Sequence, residues 1–124
     1  MQNQEVEGYH TLAQCFCDFL AAPLQQAHVL TALVNQAPVM RLTWLWYLMT
    51  DAQKVQFGTQ GDFLPESINV AQKVPYGLLY QQYRALVVLL NRLSTHNSLN
   101  SELLILDWLL KFNEAPCLSI PTAI

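Results

Sequence analysis

Residues 38–50 read PVMRLTWLWYLMT. Pro38 suits the first turn of a helix, and the apolar side chains behind it fall on nearly every side. This pattern predicts the central, most enclosed helix of an all-α fold. Trp44, Trp46 and Tyr47 all lie within it. The residue before a proline is pushed out of helical conformation, so the preceding helix should stop near Gln36. That helix opens at Pro23 and carries Ala27, Leu30, Leu33, Val34 and Ala37 on one face. Before it, Tyr9, Leu12, Ala13, Phe16, Phe19 and Leu20 recur at three- and four-residue intervals, which predicts a first helix from about Val6 to Leu20.

Beyond Thr50 the pattern loosens. Gly58, Gly61, Pro65, Pro75 and Gly77 punctuate a connection over about 51–77, with room for one short helical piece around Glu66–Gln72. A long helix follows from about Tyr76 to Thr95, with Leu79, Tyr83, Leu86, Val87, Leu90 and Leu93 assigned to its core face. In HNSLNS, Ser98 or Asn100 can cap a last helix over 99–113. The tail APCLSIPTAI, with two prolines, is expected to lie extended against the surface. The expectation is a single compact all-α bundle of about five helices, residues 1–124 forming a single helical domain with one looser connection.

Composition narrows the functional classes. Of 124 residues, 52% are hydrophobic and 12% charged, so the chain can build a core and is not disordered. Its 15 charged side chains are fewer than its 12 Gln and 7 Asn together, so much of the surface is polar without charge. The net charge is −3 and the six cations are scattered singly, which argues against nucleic acid as a partner and against an anionic lipid surface. No apolar run approaches the ~20 residues of a membrane span, and the N-terminus MQNQEVEGYH is polar and acidic, so a cytoplasmic location is expected. Three cysteines, with Cys15 and Cys17 spaced C-x-C on a helix, read as free thiols.

Signs of catalysis are weak. Glu7-x-x-His10 is half of a carboxylate di-iron pattern without its other half, and His10, Cys15 and Cys17 lack a fourth ligand, so neither metal nor cofactor is expected. Neither a nucleophile elbow nor a phosphate loop is present. Two features remain. Trp44, Trp46 and Tyr47, with Phe57 and Phe63 in the loop beyond and Arg41 and Asp51 as polar anchors, could line a pocket for a flat apolar ligand or simply fill the core.

The other is the helix over 99–113, which is apolar on more of its circumference than one small core requires. Leu104 and Trp108, beside the Asp107/Lys111 pair, are expected at a boundary with another chain; a central place inside the bundle is the competing account. The functional expectation is a non-catalytic protein–protein interaction module, self-associating as a homodimer or docking on another protein, and the flat-ligand pocket is the alternative.

Overall fold

Proline placement and helical spacing resolve into six helices in a computed structural model that describes residues 3–95 and 100–113, with side chains from Glu7 onward. They are α1 (Asn3–Ala21), α2 (Pro23–Asn35), α3 (Pro38–Gln56), α4 (Pro65–Lys73), α5 (Tyr76–Thr95) and α6 (Ser101–Leu110). Pro23, Pro38 and Pro65 each sit in a first turn, where the missing N–H costs no helical bond. Leu99, Ser98 and the tail beyond Asn113 lie outside the described residues, as do His96 and Cys117.

The fold is all-α, as the periodicity predicts. Helix α3 packs along α5 and α4 and also touches α1 and α2, while α2 packs along α6 and α1. Phe16, Phe19, Leu30, Leu42, Leu45, Leu48, Leu79, Leu86, Ile105 and Leu109 are fully buried between them. Burying each such side chain contributes about 1.5–3 kcal/mol. Phe112 closes the cluster with edge-on contacts to Phe16 (5.4 Å) and Trp108 (5.3 Å).

Three differences from the sequence reading matter. The loose connection is short, because α3 runs on to Gln56 and α4 occupies 65–73, leaving 57–64 between them. Gly58, at φ +79°, ends α3: its N–H reaches Val55 O and the Thr59 N–H reaches Lys54 O, the paired closure that favours glycine. The short piece around Glu66 is thus a sixth helix, tied to α3 where the Gln56 side-chain amide donates to Ala71 O (3.1 Å) and Val74 O (2.7 Å).

Second, α3 is central but not enclosed all round, since Val39, Met40 and Tyr47 are exposed on the side its neighbours leave open. Third, α6 ends at Leu110, in a turn over 111–113 that carries Phe112 into the core.

Candidate protein interface

Helix α5 buries Leu79, Gln82, Leu86 and Leu89, a stripe advancing three and four residues at a time. Val87 lies about 100° round from Leu86 and therefore faces outward, at 47% exposure, not inward as its spacing suggested. Tyr80 and Val88, at 42% and 59%, are exposed beside it. Tyr76, Tyr80, Arg84, Val88 and Arg92 stand four residues apart, so they form one ridge that drifts about 40° per step around the helix. The ridge starts beside α3 and ends beside α6.

At its α3 end the ridge is aromatic. Phe57, exposed at the end of α3, meets Tyr76 edge-on at 5.1 Å, Tyr76 lies nearly parallel to Tyr80 at 6.1 Å, and the Arg84 guanidinium stands 5.9 Å over the Tyr80 ring. At its α6 end the ridge borders a groove of about 120 Å³ lined by Val88, Leu89, Arg92, Leu104, Asp107 and the edge of Trp108. Lys111 closes that groove and is paired with Asp107 at 3.1 Å, an exposed ion pair of small energetic weight.

The four residues expected at a chain boundary thus come together in one groove, but not in equivalent places. Leu104 is half-buried and Asp107 and Lys111 are exposed. Trp108 is only 3% exposed; its indole N–H donates to Gln82 O (3.1 Å), and the Gln82 side-chain amide donates back to Trp108 O (2.7 Å). Nearly buried, Trp108 lies beneath the groove and not at its rim. The apolar surplus expected on 99–113 is largely absorbed, because α6 is covered by α2 on one flank and α5 on the other. Leu103, at 61% exposure, is the large exception.

The residues expected to line a flat-ligand pocket are dispersed. Residues two apart on a helix point about 200° apart, so Trp44 turns to α1, where it meets Tyr9 at 6.2 Å, and Trp46 turns to α5, where it stacks on Tyr83 at 5.6 Å. Tyr47 lies outside, edge-on to Trp46, and Phe57 meets Tyr76 while Phe63 lies by Gly61. Arg41 donates to Leu33 O and to Gln36 Oε1 (3.0 Å), satisfying the carbonyl end of α2.

Elsewhere the polar chemistry is structural. His10 Nδ1 lies 3.4 Å from Glu66 Oε2, joining α1 to α4, while Glu7 is exposed and apart. Burial pushes the Cys17 thiol up to about 11, helped by the nearby Glu66 charge, and burial together with Asp51 and Glu66 pushes the Tyr9 hydroxyl up to about 12. Burial and then Asp18 raise the Cys15 thiol as well, so neither described thiol is poised as a nucleophile. Among the described residues no group of three or more His, Cys, Asp and Glu is placed to hold a metal ion. Nor is any helix among them long and apolar enough to cross a membrane.

Sequence reasoning missed the α5 ridge. The available signal was the four-residue recurrence of Tyr76, Tyr80, Arg84, Val88 and Arg92, an aromatic and cationic row running beside the buried stripe. Comparison with curated proteins and with solved structures returns no significant match. Comparison with family models does: the model described as DNA polymerase III, delta subunit, C terminal, matches residues 3–114, and so takes in all six described helices. The chain belongs to this family.

Proposed function

We propose that the chain is a non-catalytic protein-interaction module of a clamp-loader subunit, joining it to other subunits of a DNA polymerase III assembly through the outer face of α5 and the α5/α6 groove. Family membership supports the assembly role, since a domain of a multi-subunit enzyme has protein neighbours to hold. The observation that carries the choice of surface is the exposure of Tyr80, Val87 and Val88 on the outer side of a helix whose inner side is core. Contiguous apolar surface of this kind marks interaction sites. Leu104, Asp107 and Lys111 are its α6 members, with Trp108 supporting them from beneath.

A different subunit fits this face better than a second copy of the chain. In a two-fold dimer the same patch, carrying Arg84, Arg92 and Lys111 against Asp107, meets itself, so net like charge is brought together. In this reading residues 1–124 act as one helical domain, supported by a core cluster drawn from all six helices. A role in DNA replication supports the cytoplasm as its place of action. Hydrogen–deuterium exchange on the chain with and without the other polymerase III subunits tests the surface. Protection is expected over 80–92 and 103–111; protection confined to α1 and α4 would move the interface to the opposite side.

A further inference from the structure

We infer that the α5 ridge and its groove accept an acidic amphipathic helix of the partner, its apolar stripe seated on Tyr80, Val88 and Leu104 and its flanking carboxylates meeting Arg84 and Arg92. The inference rests on the interface reading above and adds the chemistry of the occupant. Charge placement carries it. Six cations stand against nine acids in the chain, yet three of the six, Arg84, Arg92 and Lys111, line this one strip.

Among the described residues Asp107 is the acid that lines the strip with them, and it is paired with Lys111. Among the described residues neither Arg84 nor Arg92 is in an ion pair. Glu7, Asp18, Asp51, Asp62 and Glu66 belong to α1, α3, the 57–64 turn and α4. Glu102, two residues before Leu104, points about 200° away from it. A chain that is negative overall therefore offers a locally positive apolar strip, complementary to an acidic partner.

The shape agrees. Between the anchors Tyr80 and Arg92 the ridge climbs about 18 Å, enough to seat about three turns of an occupant helix. A ridge of residues four apart is the kind that interdigitates with a second helix, and an amphipathic helix presents its anchors at matching spacing. Single-stranded nucleic acid would need open ring faces on which bases stack. Tyr80 instead has Tyr76 against it from the preceding turn and Arg84 from the following one. Toward the groove the aliphatic Val87, Val88 and Leu104 side chains offer no ring for a base to stack on, and the exposed Phe57 and Tyr76 rings lie at the far end, packed edge-on against each other.

Fluorescence anisotropy with two labelled probe peptides tests the inference. Both carry the same leucine stripe and length, one with glutamates on its flanks and the other with lysines. The acidic probe is expected to bind roughly tenfold more tightly at low ionic strength, the sum of two or three exposed ion pairs, and the gap should close in high salt. The Arg84→Glu/Arg92→Glu variant should reverse the order of the two probes while keeping the parent's circular dichroism.

Equal affinities, a preference for the basic probe, or no binding of the acidic probe at millimolar concentration overturns the inference. So does a concentration-dependent dimer that the same variant disrupts, or an oligothymidine probe whose binding that variant removes. If the probes bind alike but Val88→Glu still breaks association with the polymerase III subunits, the acidic chemistry falls and the interface stands. If Val88→Glu leaves that association intact, the interface reading fails.

Discussion

Gln82 shows how one side chain can hold a large ring in place beneath a groove. It is 1% exposed and exchanges hydrogen bonds with Trp108 across α5 and α6, so of the two places the sequence leaves open for Trp108, a chain boundary or the bundle interior, the ring takes the interior. Gln82→Ala removes that donor and opens a small cavity, and should cost about 2 kcal/mol in urea unfolding. The cost should come with a change in Trp fluorescence. Tyr9 and Cys17 make a second residue-scale prediction. Between about 9 and 11 for Cys17, and about 10 and 12 for Tyr9, the folded chain keeps the proton that the unfolded chain releases. Raising the pH through this window favours the unfolded state, so stability should fall there. Tyr9→Phe and Cys17→Ala should each flatten part of the decline in unfolding measured across that range. Neither the Gln82 exchange nor these proton affinities were legible in the sequence, because they depend on contacts between residues far apart in the chain.

At the scale of elements, helix starts were the most legible feature. Pro23 and Pro38 set them covalently, and Asn100 supplies the expected cap to α6, its Oδ1 accepting from the Leu103 N–H at 3.1 Å. Asn100→Ala should lower stability by about 1 kcal/mol in thermal or urea unfolding. Gly58→Ala should cost about as much, because the φ of +79° that closes α3 strains any side chain. Arg41 was legible as a cation on an apolar helix, but not as a cap on α2. Its task is set by where α2 ends relative to α3, which spacing within α3 cannot show. The apolar width of α6 is legible in its sequence, but the choice between a chain boundary and the bundle interior is not, because it depends on which neighbours flank the helix. A ten-residue helix wedged between two neighbours uses nearly all of that width, whereas the twenty-residue α5 leaves its outer side uncovered.

At the scale of the whole molecule, low charge proved less informative than where the charge lies. Scattered in sequence, Arg84, Arg92 and Lys111 lie along one side of the molecule because a four-residue step stays on one ridge and α6 runs beside its end. The all-α fold needed only periodicity and punctuation. The surface needed to know which sides of α5 and α6 are covered, and the assembly proposed for it rests on family membership. The most direct test is binding of the parent chain and of Val88→Glu to the other DNA polymerase III subunits of the same host, measured by size-exclusion co-elution. Val88 is 59% exposed, so its replacement should shift stability by no more than about 0.5 kcal/mol. Its charge, set in the apolar strip, should weaken association at least tenfold. A folded Val88→Glu chain that co-elutes as the parent does would contradict the assignment of this face.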